Sequence, residues 1–331
     1  MARYLVTGVA GFIAARLTEF LLDDGHTVVG LDNLNEAYDV RVKMYRLARL
    51  KGRPGFTFHR TDIGNRHALD DCLGNIYASS GEDNFDAVIN LAARAGVRQS
   101  LENPWVYYDT NVLGTLNLLE ACRQYQIPKF VLASTSSIYG ENAPMPTTED
   151  ANSDLPLQPY AASKKGAEVL CHSYHFLYDI DVTIFRYFTV YGPAGRPDMV
   201  MFRFTQWISE GRPVQVNGDG EQSRGFTYVD DIARGTILGL KPLGYEIINL
   251  GGHEMVKINT LINMLEGQIG KSADIHRLAR HPADMFANWA NIEKANRLLG
   301  WTPQVSLAEG IASLVDWYNE ERHWASQVIT D

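Results

Sequence analysis

A glycine pattern close to the first residue is the feature that most constrains how this chain can fold. Gly8 and Gly11 come directly after the apolar run Tyr4-Leu5-Val6, and residues Phe12 to Asp23 carry apolar side chains at helical spacing. Glycine at position 8 permits a tight turn, and glycine at position 11 lets backbone N–H groups approach a phosphate at the start of the helix. Ala14, in place of a third glycine, adds only one methyl group. A strand, a glycine turn and a helix in this order predict the first βα unit of a parallel sheet.

The first half of the chain continues this alternation of strand and helix. Its pattern predicts an α/β fold with a doubly wound parallel sheet of the Rossmann type. After Val182–Phe185 the alternation becomes less regular, and glycine and proline become more frequent. We therefore expect a nucleotide-binding domain over residues 1–188 and a smaller, interwoven α/β domain over residues 189–331, with a strand at 243–250 that returns to the first sheet. The other predicted strands are Val28–Leu31, Phe56–Phe58, Ala87–Leu91 and Phe130–Ala133, and a helix is predicted from Gly114 to Tyr125.

Composition excludes several classes of function. The chain has 331 residues, a formal net charge of −9 and no long basic run, so it has no electrostatic footprint for nucleic acid. Its three cysteines form no CxxC pair, and neither they nor the histidines are spaced like metal ligands. The N-terminal residues do not form a signal peptide, and no apolar stretch approaches a membrane span. We expect a soluble, cytoplasmic protein without a metal.

Asp32 extends the nucleotide-binding prediction. It ends the second predicted strand, 24 residues after Gly8. A carboxylate at this point accepts hydrogen bonds from a ribose diol and repels a 2′-phosphate. The sequence therefore favours NAD over NADP, whereas a plain glycine turn beside a surface aspartate is the structural alternative.

Tyr160 and Lys164 are four residues apart, so they share one face of a helix that Pro159 introduces. A tyrosine hydroxyl ordinarily titrates near pH 10, and a neighbouring ammonium together with an oxidised nicotinamide should lower its pKa. Thr135 lies just after the strand Phe130–Ala133. It could donate a hydrogen bond to the same substrate oxygen from which Tyr160 would take a proton. Alone, a Tyr-x-x-x-Lys pattern is weak; with the nucleotide motif it predicts proton transfer at an alcohol carbon.

Over nearly its whole length the chain resembles the extended short-chain dehydrogenase/reductases, and within them the NAD-dependent epimerases that act on UDP-glucuronate. The most specific segment is Gly195-Arg196-Pro197-Asp198-Met199 with Thr189 before it. Wider motifs of the superfamily are Gly8-x-x-Gly11-Phe12-Ile13, Asp32-Asn33-Leu34-Asn35, Ala95-Gly96-Val97-Arg98-x-Ser100-Leu101-Glu102-Asn103-Pro104, Asn111-x-x-Gly114-Thr115, Thr189-Val190-Tyr191-Gly192-Pro193, Gly218-Asp219-Gly220, Phe226-Thr227-Tyr228-Val229-Asp230-Asp231 and Leu298-Leu299-Gly300-Trp301.

The resemblance implies a role for each matching residue. Thr135, Tyr160 and Lys164 match the catalytic triad of the superfamily. The second domain would hold a UDP-sugar, with Arg224 on the diphosphate and Ser136, Ser137, Thr189 and Arg196 near the sugar carboxylate; Arg98 and Asp284 are further substrate-binding candidates. The positions that match cofactor contacts are Gly8, Gly11, Phe12, Ile13, Asp32, Asn33, Asp62, Ile63, Leu91, Ala92, Ala93, Asn111 and Tyr187.

The implied reaction is the reversible C4 epimerisation of UDP-glucuronic acid to UDP-galacturonic acid, through a 4-keto intermediate with bound NAD. A 4-keto uronic acid is a β-keto acid and can lose CO₂. Relatives that decarboxylate this sugar carry a glutamate where this chain has Ser137, and sugar 4,6-dehydratases carry Asp-Glu where it has Ser136-Ser137. Arg196 could bind the retained carboxylate with its planar fork, although a surface arginine paired with Asp198 is the structural alternative.

Other interpretations stay open at this point. The chain could epimerise another UDP-sugar, such as glucose/galactose or xylose/arabinose, or less readily act as a UDP-glucuronate decarboxylase. A dinucleotide-binding sensor is a non-enzymatic alternative, but such relatives usually lose the tyrosine or the lysine. Arg94 and Ala283 depart from the usual pattern, and Ala283 weakens the match around Asp284. The resemblance also implies a homodimer formed by the helices that begin at Gly114 and Tyr160.

Overall fold

A parallel sheet of seven strands forms the centre of the computed structural model, which describes residues 1–80, 84–252, 254–279 and 287–330. The strands of the chain are β1 (Arg3–Thr7), β2 (Thr27–Asp32), β3 (Phe56–Arg60), β4 (Ala87–Asn90), β5 (Lys129–Thr135), β6 (Asp181–Tyr187), β7 (Thr189–Tyr191), β8 (Val214–Asn217), β9 (Ser223–Tyr228), β10 (Tyr245–Leu250), β11 (Glu254–Lys257), β12 (Ile275–Leu278) and β13 (Ala287–Asn288). The large sheet has the order β10-β6-β5-β4-β1-β2-β3, and all its pairings are parallel.

Helices connect these strands and cover both faces of the large sheet. A π-helical turn at Tyr108–Leu113 and a 3-10 turn at Ser136–Tyr139 complete the regular structure. The helices are α1 (Phe12–Asp23), α2 (Val40–Leu50), α3 (Arg66–Ser80), α4 (Gln99–Glu102), α5 (Trp105–Tyr107), α6 (Gly114–Tyr125), α7 (Pro159–Tyr178), α8 (Val200–Glu210), α9 (Val229–Leu238), α10 (Ile258–Ile269), α11 (Glu293–Leu299), α12 (Leu307–Glu320) and α13 (Arg322–Ala325).

Successive residues of each central strand enter different hydrophobic cores. Leu5 and Val88 pack with residues of α3, α6 and α7, whereas Val6 and Ile89 pack with residues of α1, α9 and α11. A strand that is apolar on both faces must be covered on both faces, which explains why the sequence shows continuous apolar runs and not alternation. The predicted doubly wound parallel sheet is confirmed, and the predicted helices at 12–23 and 114–125 have the bounds that the sequence indicated.

The second half of the chain builds two smaller sheets. β7, β9, β11 and β13 form one, and β8 pairs with β12 in the other. β7, β8, β9 and β11 pack with α8, α10 and α12 around a third core, which includes Trp207, Phe226 and Tyr318. β10 lies between these segments in the chain but joins β6 at the edge of the large sheet. The domain boundary near residue 188 stays a prediction.

Among the helices of the described ranges, none combines the length and the apolar character that are needed to cross a bilayer.

Candidate active site

Five predicted functional positions lie at the carboxyl ends of neighbouring strands. Gly8 follows β1, Asp32 ends β2, Leu91 follows β4, Thr135 ends β5 and Tyr187 ends β6. The strand order reverses between β1 and β4, where a parallel sheet leaves a crevice. A cavity of about 430 Å³ opens along this edge. Its wall contains most of the predicted site residues, namely Gly8, Gly11, Phe12, Ile13, Asp32, Asn33, Asp62, Ile63, Leu91, Ala92, Ala93, Thr135, Ser136, Ser137, Tyr160, Lys164, Tyr187, Thr189, Arg196 and Arg224.

The glycine turn has no space for side chains. Gly8 has a φ of +68°, and a Cβ atom on it would lie 2.7 Å from Cα of Ala92. A Cβ atom on Gly11 would lie 2.7 Å from the carbonyl oxygen of Gly8, to which the Gly11 N–H donates. Gly11 is also the N-cap of α1 and leaves the first turn without a side-chain cap. The start of α1 therefore faces the cavity with bare backbone N–H groups, which suits a phosphate.

Two carboxylates stand beside this turn. Asp32 accepts hydrogen bonds from the backbone N–H groups of Ala10 (3.1 Å) and Leu34 (2.8 Å). Asp62 accepts from Nδ2 of Asn33 (2.8 Å) and from the N–H of Gly64 (2.8 Å). These bonds fix both carboxylates in the wall and leave lone pairs for a ligand, since an ionised carboxylate has about four acceptor sites. The glycine turn, the bare helix start and Asp32 together fit a dinucleotide with free ribose hydroxyls.

Tyr160, Lys164 and Thr135 meet in the wall of the same cavity. Pro159 occupies the first turn of α7, and the two residues four apart face β5 together. The Lys164 ammonium is 4% exposed and donates to the carbonyl oxygen of Ala133 (2.6 Å). Burial lowers the pKa of Lys164 to about 8, although the negative charge of Glu168 opposes this shift.

The pKa of Tyr160 is raised in the structure, whereas the sequence predicted that it would be lowered. Burial raises this pKa, and the opposing contributions come from a hydrogen bond with Thr135 and from the charge of Arg196. Lys164 is not among these contributions, and its ammonium donates to the Ala133 carbonyl. Thr135 also accepts from the N–H of Ser137 (3.2 Å) and so caps the 3-10 turn after β5.

A buried ionic network lies under Lys164, and the sequence argument missed it. Glu168 accepts from Nη2 and Nε of Arg186 (2.8 and 3.1 Å), and both side chains are 2% exposed. Ser134 donates to the same carboxylate (2.5 Å), and Arg186 donates to the hydroxyl of Tyr139 (3.0 Å). This network joins α7 to β5 and β6, and so fixes the helix that carries Tyr160. In the sequence, the indication of this network was that Glu168 lies one helical turn after Lys164 and so shares its face of the helix.

The residues expected near a sugar carboxylate lie together. Ser136 accepts from Nδ2 of Asn288 (2.9 Å), and Thr135 donates to the hydroxyl of Ser137 (3.2 Å). The Arg196 guanidinium lines the cavity and also forms a two-point ion pair with Asp198 (3.1 and 2.5 Å). An arginine paired with Asp198 can thus still face the cavity, and the carboxylate role of Arg196 stays a prediction.

Some predicted residues lie elsewhere. Asn111 does not line the cavity; its amide donates to Arg94 O (3.0 Å) and Ser163 Oγ (2.9 Å) and accepts from Arg94 N (2.9 Å), so it fixes the loop after β4 to α7. Arg98 precedes α4 and is also absent from the wall. Asp284 lies outside the described residues. The guanidinium of Arg94 donates to Oδ1 of Asn35 (3.2 Å).

The segment after β2 supplies wall residues that the sequence argument did not identify. Asn35, Tyr38 and Lys43 line the cavity, and the Lys43 ammonium donates to the backbone and side-chain oxygens of Asn35 (2.8 and 2.9 Å). Burial lowers the pKa of Lys43 to about 8, and the charge of Asp32 opposes this shift. One indication of this contact was present in the sequence. Asp39 caps the start of α2, and this helix carries Lys43, which contacts Asn35.

Comparisons with known proteins identify the family. The model of the NAD dependent epimerase/dehydratase family matches residues 4–251. A UDP-glucuronate 4-epimerase from Thermodesulfobacterium geofontis is 56% identical over 97% of both chains. The crystal structure of UDP-glucuronic acid 4-epimerase from Bacillus cereus, in complex with UDP-glucuronic acid and NAD, matches with a TM-score of 0.88 and 38% identity over 96% of this chain and 99% of that one. The structure of a UDP-glucose 4-epimerase from Thermotoga maritima matches with a TM-score of 0.87 and 29% identity over 97% and 99%.

Proposed function

The chain belongs to the NAD dependent epimerase/dehydratase family, and from this premise we propose that it interconverts UDP-glucuronic acid and UDP-galacturonic acid by epimerisation at C4. The observation that carries the proposal is one cavity that joins a dinucleotide-binding turn to Tyr160, Lys164 and Thr135. The same cavity holds hydroxyls at positions 136 and 137 and the guanidinium of Arg196, which suits a sugar that keeps its carboxylate.

NAD is the cofactor. The turn at Gly8 and Gly11 and the start of α1 hold its pyrophosphate, and Asp32 accepts from the adenosine ribose hydroxyls. Asp32 already accepts two backbone N–H groups, so its carboxylate is fixed where a 2′-phosphate would be repelled. The chemistry that bound NAD supplies is the acceptance of a hydride from C4 and its return to the opposite face of the sugar.

The chain's own residues move the proton and orient the sugar. Tyr160 removes the proton from the 4-hydroxyl and returns it after the keto sugar has turned in the cavity. Thr135 donates to the same oxygen, and the ammonium of Lys164 supplies positive charge at this end of β5. Arg224, on β9, lies in the wall where it can bind the diphosphate.

Retention of the carboxylate distinguishes this reaction from decarboxylation. Ser136 and Ser137 stand where relatives with an extra step carry acidic residues. Neither serine hydroxyl can act as a general base in the way that a carboxylate does. Both can donate a hydrogen bond to a carboxylate oxygen of the sugar. Together with Thr189 and Arg196 they hold the uronate carboxylate in a pose that resists loss of CO₂, because Arg196 presents a planar fork of donors.

An NMR time course of UDP-glucuronic acid with the purified, NAD-loaded protein tests the proposal. We expect a stable mixture with UDP-galacturonic acid and no UDP-pentose. Accumulation of UDP-pentose would instead identify a decarboxylase, and an unchanged uronate with turnover of UDP-glucose would identify a neutral-sugar epimerase. Tyr160→Phe is the matched control, since it removes one hydroxyl and should bind the sugar without converting it.

The protein is a homodimer formed by α6 and α7. These helices pack against each other, and α7 exposes large apolar side chains, with Val169 56%, Phe176 79% and Leu177 63% exposed. Leu113, just before α6, is 46% exposed. Patches of this kind mark interaction surfaces. Light scattering should give twice the chain mass for the native protein and a smaller mass for Phe176→Asp; a native monomer would contradict the dimer.

The protein functions in the cytoplasm. Its cysteines are free thiols, and burial raises the pKa of Cys122 and of Cys171, so these two thiols stay protonated and unreactive. Unpaired thiols suit a reducing compartment. Recovery of the protein in the cytosolic fraction of its source cells is the expected result, and recovery in a secreted fraction would contradict it.

A further inference from the structure

Arg46 is a buried cation with an unusual set of partners. It lies in α2 and is 3% exposed. Its Nε and Nη2 donate to the carbonyl oxygen of Ala194 (2.8 and 2.6 Å), and Nη2 also donates to that of Gly195 (3.0 Å). Its Nη1 donates to the carbonyl oxygen of Ala10 (3.2 Å) and to the hydroxyl of Tyr38 (2.7 Å). A guanidinium has five N–H groups, and these bonds use all of them on uncharged oxygens.

The three carbonyl partners belong to two separate loops of the site, and Tyr38 lies in the segment after β2. Ala10 lies in the glycine turn between Gly8 and Gly11, where the dinucleotide binds. Ala194 and Gly195 directly precede Arg196, whose guanidinium lines the cavity. The two loops are far apart in sequence and contact the same fixed fork of donors. The Arg46 side chain therefore joins the turn before Arg196 directly to the glycine turn.

The turn before Arg196 needs this support. Gly195 N–H donates to Gly192 O (3.2 Å), which places Pro193 and Ala194 at the centre of a β-turn. Ala194 has a φ of +52°, in the left-handed region that a residue with a Cβ atom adopts at a cost in free energy. The two bonds that Arg46 donates to the Ala194 carbonyl hold the peptide in this orientation. The chain then continues to Arg196, which donates to Ala95 O (3.3 Å) and pairs with Asp198.

We propose that Arg46 is a positioning residue that ties the turn at 192–195 to the glycine turn and thereby aims Arg196 at the carboxylate of the sugar. This assignment rests on the proposed function, because it needs a substrate that carries a carboxylate. Arg46 itself touches neither ligand in this account. It acts through Arg196, so its loss should affect carboxylate recognition more than recognition of the uridine diphosphate, which Arg224 serves from β9.

The test measures the dissociation constants of UDP-glucuronic acid and UDP-glucose by calorimetry on the folded, NAD-saturated protein. Arg46→Lys keeps the charge but loses the fork, so it cannot bond both loops. We expect its affinity for UDP-glucuronic acid to fall on the order of tenfold, the scale of one lost charge-assisted hydrogen bond, and its affinity for UDP-glucose to change less than twofold. Arg49→Lys is the matched control, since Arg49 lies one turn further along α2 and pairs with Glu19 (2.8 Å); neither affinity should change.

A rescue variant separates positioning from general stability. Glycine adopts the conformation of Ala194 without strain, so Ala194→Gly should restore several-fold of the uronate affinity in the Arg46→Lys background. Ala194→Val tests the same point with Arg46 intact. A β-branched side chain disfavours this conformation, and the pocket of about 220 Å³ beside Ala194 leaves room for the added methyl groups. Ala194→Val should therefore lose uronate preference as Arg46→Lys does.

The outcomes distinguish the assignment from the function on which it rests. A wild-type protein that binds both sugars equally would overturn the proposed substrate. A wild-type preference for the uronate that Arg46→Lys and Ala194→Val leave intact would overturn only the role of Arg46. Equal weakening of both sugars, without rescue by Ala194→Gly, would show that Arg46 serves the fold alone.

Discussion

Replacing Lys164 with methionine should abolish turnover and yet stabilise the cofactor-free protein at neutral pH. Lys164 is 4% exposed, and burial lowers its pKa from the ordinary 10.5 to about 8. A pKa shift of this size means that holding the amine charged in this site costs roughly 3 kcal/mol of folding free energy. Methionine has a similar length and no charge, so the penalty disappears. The Ala133 carbonyl loses its donor, which costs about 1–3 kcal/mol. We expect a net gain of about 1 kcal/mol.

The pH dependence of this gain identifies its cause. Because the folded pKa of Lys164 lies below its unfolded value, the unfolded chain binds the proton more tightly between about pH 8 and pH 10.5. The wild-type protein therefore becomes more stable as pH rises through this window, whereas Lys164→Met lacks this contribution. The stability difference should be largest below pH 8 and should shrink or reverse by pH 10.

Urea unfolding of the cofactor-free proteins at pH 7 and pH 9.5 measures both effects. Lys165→Met is the matched control; Lys165 is the next residue of α7, donates to Ser153 Oγ (2.7 Å) and lies near the surface, with a side chain 26% exposed. Its free energy of unfolding should change by less than about 0.5 kcal/mol, equally at both pH values. A Lys164→Met protein that is less stable than wild type by more than about 1 kcal/mol at pH 7, or a difference that does not vary with pH, would refute the reasoning.

Three further outcomes follow from the same contacts. The rate constant kcat/KM should fall as pH rises through about 8, because Lys164 then loses its proton and with it the positive charge that it supplies beside the 4-hydroxyl of the sugar; a profile that stays flat to pH 9.5 would contradict this. Glu168→Gln should lower the free energy of unfolding by about 3 kcal/mol in urea titrations, since it leaves the buried Arg186 charge without its partner, and a loss below about 1 kcal/mol would show that the pair is dispensable. Arg196→Ala should weaken UDP-glucuronic acid far more than UDP-glucose in calorimetry, and equal losses would remove its carboxylate role.

Most of the fold could be predicted because the strands of a doubly wound sheet are buried on both faces. Runs such as Val28–Leu31 and Phe130–Ala133 are continuous and apolar, and each leads to a residue that lines the cavity. The parallel arrangement then places these ends at one edge without further information. For the same reason the sequence alone predicts that Gly8, Asp32 and Thr135 lie close together, and all three line one cavity.

The supporting contacts could not be predicted, because they join segments that only the tertiary fold brings together. Glu168 and Arg186 lie on a helix and a strand, and nothing in either local pattern indicates that they pair. Arg46 contacts carbonyl oxygens almost 150 residues away, and a backbone carbonyl carries no sequence signal. The rise in the pKa of Tyr160 has the same origin, since burial is a property of the assembled cavity and not of the Tyr-x-x-x-Lys spacing.

The local arrangement of charge also explains how a chain with a net charge of −9 can hold anionic ligands. Lys43 lies in the cavity wall, and the charges of Arg46, Arg94 and Arg196 all lower its pKa, while Asp32 opposes them. The cations therefore repel the charge of Lys43, which lies in the cavity wall with Arg196. An anion placed there relieves this repulsion and favours the charged form of Lys43. The net charge of the chain opposes this little, because charges on the distant surface are screened within about 10 Å at ordinary ionic strength.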